Sequence, residues 1–194
     1  MLVVWGGNLI FREVEDRDLI LRSRRGDVEA FNVLVSRWEK RVYNYLLRQL
    51  RGREDALDLT QESFLKAYQN IGRLQEVDRF PQWLFRIAHN EAISLFRRNK
   101  RLVDDEVPEV TDGGAVSVAG SAVYPAELTL AVERALELLT PEQRETVVLK
   151  VYHGFKFDEV AEIVSCPVST VKSRLYSAFA ALKGTLAPAA KPSV

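Results

Sequence analysis

Apolar side chains recur at helical spacing through most of this chain, and nowhere in its first half do they alternate convincingly with period two. The first run, Asp16 to Arg25, offers Leu19, Ile20 and Leu21; Gly26 breaks it and Asp27 stands where it can cap the next helix. From Val28 to Leu50 the stripe is long (Phe31, Leu34, Val35, Trp38, Val42, Tyr45, Leu46, Leu50), and Gly52 ends it. A third helix over Glu54 to Ile71 is expected to bury Leu57, Thr60, Phe64, Ala67, Tyr68 and Ile71. A fourth, within Arg79 to Arg101, places Leu84, Ile87, Ala88, Ala92, Leu95 and Phe96 on its inner face. The pattern predicts an all-α protein.

Periodicity lapses between Asp104 and Pro125, where DDEVPEVTDGGAVSVAGSAVYP combines Pro, Gly and acid without one basic residue, the composition of a flexible acidic linker. It resumes at Leu130, Ala131, Arg134, Ala135, Leu138 and Leu139. Thr140-Pro141-Glu142-Gln143 then carries a helix-start signature: Thr as cap, Pro at the first helical position and Gln completing a capping box. That helix is expected to bury Val147, Val148, Val151 and Tyr152 and to stop at Gly154. From Phe157 a short helix with Val160, Ala161 and Val164 meets the break Ser165-Cys166-Pro167. A second helix comes next, capped by Ser169, with Val171, Leu175, Phe179 and Leu182 inward. Two helices joined in this way predict a helix-turn-helix, and small Ala161 suits a close crossing.

With 194 residues, 47% of them hydrophobic and 28% charged, the chain is long enough for one ordinary domain or two small ones and apolar enough to fold. The zero net charge conceals an uneven distribution. Met1 to Val103 holds 19 Lys and Arg against 14 Asp and Glu, whereas Asp104 to Leu128 holds 6 acids and no base. The single cysteine, Cys166, can form no internal disulfide, and with only His89 and His153 besides, no metal-ligand spacing arises. A reducing cytoplasm fits this usage. The start MLVVWGGNLIF lacks a positive leader and is interrupted by Gly and Asn, so it reads as an extension and not as a signal peptide or membrane span.

Candidate chemistry concentrates in two places. RFPQWLFRIAHNEAISLFRRNKR, from Arg79, sets aromatic and cationic side chains against one acid, Glu91, a mixture suited to an opened DNA strand: cations hold phosphates and aromatic faces replace lost base stacking. In the second helix of the helix-turn-helix, Ser169, Thr170, Lys172, Ser173, Arg174, Tyr176 and Ser177 remain on the outside, where short hydroxyls and long cations can meet base edges and phosphates.

On these segments, the chain resembles a bacterial RNA polymerase sigma factor of the extracytoplasmic-function group, the minimal kind retaining conserved regions two and four. EDALDLTQESFLKAYQNI is similar to the family's core-binding helix, the basic aromatic segment to its melting and minus-ten-reading part, and LTPEQRETVVLKVYHGFKFDEVAEIVSCPVSTVKSRLYSAF to region four. The resemblance implies two small helical domains, a region-two bundle and a region-four helix-turn-helix. Their expected bounds are an extension over 1–15, region two over 16–103, the linker over 104–128, region four over 129–184 and a disordered tail over 185–194. It implies that Asp58, Gln61, Glu62 and Leu65, at i, i+3, i+4 and i+7, dock on the clamp helices of the polymerase β′ subunit. Arg79, Phe80, Trp83, Arg86, Asn90, Arg97, Arg98 and Arg101 would melt and hold the minus-ten element, with a flipped base captured between Ile71 and Trp83; the exposed residues of the helix-turn-helix would read the minus-thirty-five element. Core polymerase, through β′ and the β flap, promoter DNA and an anti-sigma factor are the implied partners. This chain departs from the pattern at Ser94, where the family commonly has an acid, and in its sparsely charged second helix after Arg174. Fewer cations predict a shallow salt dependence for that domain alone, with affinity supplied by tethering to polymerase.

No set of nucleophile, base and orienter and no phosphate-cradling glycine motif is visible, so neither catalysis nor a cofactor is expected. A rival reading is a dimeric helix-turn-helix regulator acting without polymerase; it predicts binding to a palindromic duplex.

Overall fold

The computed structural model describes residues 14–50, 52–105, 132 and 134–186, and among them every regular element is a helix. The greater part of the expected extension, linker and tail lies outside the described residues.

Helices α1 (Asp16–Ser23), α2 (Val28–Gln49), α3 (Arg53–Asn70) and α4 (Phe80–Asp105) form the first bundle. The α1–α2 turn needs Gly26 at φ +87°, and Asp27 caps α2 by accepting from the Ala30 N–H at 3.0 Å. This bond, with the nearby Arg22 guanidinium, holds the Asp27 carboxyl below its usual range. Asp16 ties the pair together, one oxygen accepting from Arg37 and the other from Trp38 Nε1, each at 2.8 Å. Leu19, Ile20, Leu34, Val42, Leu46, Ala67, Phe80, Leu84 and Ala88 fill the centre. Thr60 and Ser63 enter it as well, because each hydroxyl is satisfied by the carbonyl four residues earlier in α3.

Residues 134–137 are helical, followed by α5 (Pro141–Val147), which carries the expected Thr140–Gln143 capping box. The helix then widens to π geometry over Val148–Tyr152 and turns at Gly154, φ +75°. Helices α6 (Phe157–Ile163) and α7 (Val168–Leu186) form the helix-turn-helix. At its corner Ser165 adopts φ +52°, and the Cys166 N–H reaches back to the Ala161 carbonyl at 3.1 Å, a Schellman closure built on serine where glycine is usual.

Several expected inward positions face elsewhere. Leu57 is 51% exposed and Tyr68 and Phe96 are also open, because Ala56, Leu59 and Ser63 take the inner face of α3 and Ala88 and Ala92 that of α4. The π turn rotates the end of the α5 helix, so that Leu149 is buried while Val151 and Tyr152 are exposed. In α7 the inner face is Val171, Leu175 and Ala178, and Phe179 lies outside. Ser169 is not the cap: the Pro167 carbonyl already accepts from Thr170 and Val171, so the helix begins before it.

The two helical sets pack on each other. Phe85, fully buried on α4, meets His153 and Phe155 with ring centroids 4.9 Å away in each case. Beside them Glu145 of α5 is buried and accepts at one oxygen from both Tyr45 and His89, the His89 Nδ1 at 2.7 Å. Burial, and then the Glu145 carboxylate, raise the Tyr45 pKa well above its ordinary value, so the hydroxyl stays a donor.

Candidate nucleic-acid and docking interfaces

Because α3 buries Ala56, Leu59, Thr60, Ser63, Phe64 and Ala67, it turns Asp58, Gln61 and Leu65 outward, with Glu62 half-buried beside them. Exposed Leu57 and Tyr68 flank this set within the same half of the helix. The face therefore combines an apolar stripe with acids, the combination that a basic and partly apolar partner surface fits. Lys66 closes its edge, 2.6 Å from Glu91 on α4 and 3.4 Å from Glu62. The Glu91 hydrogen bond chiefly raises the lysine pKa and keeps it charged. Asp58, Glu62, Lys66, Glu91, Ser94 and Arg98 line one groove, so the docking candidates and a phosphate candidate share a border.

On α4 the helical period sets Arg86, Asn90, Ser94 and Arg97 along one exposed stripe, with Arg98 beside it. Arg101 continues the helix, about 22 Å from Arg86 at 1.5 Å per residue; its side chain lies outside the described residues. Ser94 donates to the Asn90 carbonyl at 2.8 Å and leaves the stripe without an acid at that turn.

Phe80 departs from the expected set. It is fully buried against Trp38 and Trp83, with centroids 6.1 Å from each, and so cannot offer its face to a base in this arrangement. Trp83 is half-buried and packed on the core, leaving part of its surface free. Arg79 is exposed yet engaged, 3.1 Å from Glu76 and 2.8 Å from Glu162 of α6. Gln82 likewise donates to Glu159 of α6 at 2.8 Å. Those two contacts across the helical sets had no signal in local periodicity.

On α7, Ser169, Lys172, Ser173, Tyr176 and Ser177 are exposed, Tyr176 by 64%, while Thr170 and Arg174 are half-buried. Arg174 folds back to 3.8 Å from the Cys166 sulfur, and Lys172 lies 5.6 Å from the Phe157 ring centre. Arg174 thus starts from a position over the corner of the motif, and Lys172 from one over the first residue of α6. Sequence reasoning also missed Arg17 and Arg24 of the α1 region, which hold the loop between α3 and α4. No helix among the described residues is long and apolar enough to cross a membrane, and no group of residues there could hold a metal ion.

Comparison with known proteins assigns both parts. Residues 34–102 match Sigma-70 region 2 and residues 129–182 match Sigma-70, region 4. The chain is 30% identical to the RNA polymerase sigma-H factor of Pseudomonas aeruginosa, over 90% of this chain and 95% of that one. It is 31% identical to the ECF RNA polymerase sigma-E factor of Haemophilus influenzae, over 91% and 97%. Among solved structures, the Bartonella quintana sigma factor RpoE, in complex with the anti-sigma factor NepR, superposes with a TM-score of 0.72 at 25% identity, covering 81% of this chain and 96% of that one. CnrH, in complex with the cytosolic domain of CnrY, gives 0.65 at 26% identity over 91% and 99%. Two regional matches in family order, carried on this helical framework and shared with relatives along nearly their whole length, establish that the chain belongs to the sigma-70 family as a sigma factor of the ECF type.

Proposed function

We propose that this sigma factor docks on core RNA polymerase through Asp58, Gln61, Glu62 and Leu65 of α3, holds an opened minus-ten strand along α4, and presents α7 to the minus-thirty-five element. The observation that carries the division of labour is the border between the acidic and apolar face of α3 and the cationic stripe of α4. A protein docked by the first leaves the second free for DNA. Arg86, Arg97, Arg98 and Arg101 position phosphates without reading sequence, while Asn90, Trp83 and the loop before it meet bases. Ser169, Lys172, Ser173, Tyr176 and Ser177 of α7 lie open for groove contacts, and Thr170 and Arg174 become available by side-chain rotation. Opening needs no covalent chemistry: the protein has only to bind the unstacked base better than the duplex does, offsetting a few kcal/mol. The chain acts without catalysis of its own, in the cytoplasm where polymerase works. An anti-sigma factor is its regulatory partner, by analogy with the RpoE complex with the anti-sigma factor NepR.

Transcription from a promoter with purified core enzyme tests the whole reading. Start-site-specific transcript that depends on adding the chain is expected. Binding of a palindromic duplex by a dimer, without any effect on polymerase, would replace this reading with that of a regulator.

A further inference from the structure

The loop joining α3 to α4 is held from outside by a helix that precedes both. Arg24, half-buried just past the end of α1, donates from Nε to the Ile71 carbonyl at 3.2 Å and from its terminal nitrogen Nη2 to the Leu74 carbonyl. These carbonyls bracket the single 3-10 turn Ile71–Arg73, so one planar guanidinium closes over both ends of it. Arg17, seven residues earlier and so on nearly the same face of α1, pairs with Asp78 at 3.3 Å, on the second 3-10 turn, Val77–Arg79.

Backbone bonds within the loop include Leu74 N–H to the Ile71 carbonyl at 3.4 Å, Arg79 N–H to the Glu76 carbonyl at 3.0 Å and Phe80 N–H to the Val77 carbonyl; Ile71 and Leu74 are buried, while Gly72 has open space where a side chain would be. Both arginines lie before residue 34, where the match to Sigma-70 region 2 begins.

We infer that Arg24 is a positioning residue for promoter opening: its fork on the Ile71 and Leu74 carbonyls pre-forms the loop that receives the extruded base. This rests on the reading of Ile71 to Trp83 as the base-capturing segment. Capture has to offset unstacking and unpairing, and a loop that became ordered only on binding would subtract its own ordering entropy from that gain. Arg24 touches no DNA in this scheme; it acts through backbone carbonyls, with a charge-assisted bond at each. A merely structural cap on the carbonyl end of α3 would use the same bonds, so the test has to separate opening from folding and docking.

Full-length Arg24→Met and Arg24→Lys chains, shown by thermal melting to be folded at the assay temperature, are each joined to core polymerase. Permanganate reactivity of unpaired thymines is then read on a matched promoter and on the same promoter pre-opened by mismatches over the minus-ten element. Arg24→Met is expected to form holoenzyme like the parent and to lose about tenfold of opening on the matched duplex, the worth of one charge-assisted hydrogen bond, while keeping most reactivity on the pre-opened template. Arg24→Lys, which keeps the donor but not the fork, recovers part of the loss. Equal loss on both templates, or no loss on either, overturns the assignment. Should Arg24→Met fail to fold, the lysine chain alone carries the comparison, and an equal response on the two templates overturns it. A chain with Gln75→Gly and Glu76→Gly loosens the loop without touching Arg24. If that chain opens the matched duplex like the parent, the capture role of the loop is wrong; if it is impaired while Arg24→Met is not, only the Arg24 assignment falls.

Discussion

Phe80 marks the difference between a residue's type and its use. An aromatic beside Arg79 looks like a stacking platform, yet its ring is the one that Trp38 and Trp83 enclose. Phe80→Ala is therefore expected to cost about 3 to 5 kcal/mol of stability, as truncation of a buried aromatic does, measured as a fall in the urea midpoint; a midpoint near that of the parent would return Phe80 to the surface. His153 is the second case. Burial, and then the charges of Arg41 and Arg48, lower its pKa from 6.5 to about 4, and its Nε2 is buried without a partner. The folded protein thus holds the neutral ring, with the Arg41 guanidinium on the His153 carbonyl at 3.1 Å and Arg48 over Tyr152 on the same side. A depressed histidine contributes full stability above the unfolded value near 6.5, and that contribution is lost as pH falls toward 4. Between pH 7 and 5 the parent should lose about 2 kcal/mol through this group, a slope that His153→Leu should remove in paired denaturation curves.

At the scale of elements, α3 works with two opposed faces. Alanine, threonine, serine and one phenylalanine let its inner side lie close to the bundle, and the leucines left outside join Asp58 and Glu62. Asp58→Arg with Glu62→Arg reverses the charge of that outer side. Helix content should stay near the parent's, because Asp58 is exposed and Glu62 loses only a 3.4 Å surface pair with Lys66. Affinity for core polymerase, read by competition against the parent chain, should fall tenfold or more, about 1.4 kcal/mol or greater. Unchanged affinity in a folded double variant would remove this face from the docking scheme. The α6–α7 corner shows a local compromise. Ser165 at φ +52° carries a backbone cost of order 1 kcal/mol that glycine would avoid, and the Schellman bond from Cys166 offsets part of it.

For the whole molecule, the packing of the two helical sets bears on DNA access. Glu162 on Arg79 and Glu159 on Gln82 place two carboxylates at the start of α4, where promoter phosphates would approach under the proposed function. Glu159 is also fixed by the Lys156 N–H, which donates to its other oxygen at 2.7 Å. Each contact is partly solvated and therefore weak, so replacing both acids should shift the balance without unfolding either part. Glu159→Gln with Glu162→Gln is expected to raise the free chain's affinity for a single-stranded minus-ten oligonucleotide by up to about fivefold at low salt, and less at high salt. Fluorescence anisotropy at the two ionic strengths checks this; equal affinity for parent and variant would mean that these acids do not compete with DNA.

Periodicity alone determined the helices, because each long segment repeats its apolar residues every three or four positions, and local chemistry determined the Asp27 and Thr140 caps and the glycine turns at 26 and 154. The series of segments also made the family legible, since charge, aromatic content and the helix-turn-helix corner are properties of neighbouring residues. Tertiary structure decided which flank of each stripe is inside. Leu57, Phe96, Val151 and Phe179 fit the helical period as well as the residues that replaced them, and only the approach of a neighbouring helix or the π turn discriminates. It alone brought Phe85 against His153 and Phe155, Glu145 to Tyr45 and His89, and Arg24 to the loop carbonyls, with 47 to 100 residues of chain between the partners of each of those hydrogen bonds. The period of one helix carries no information about partners so distant in the chain; that information arises when two surfaces of matching shape and charge exclude water together.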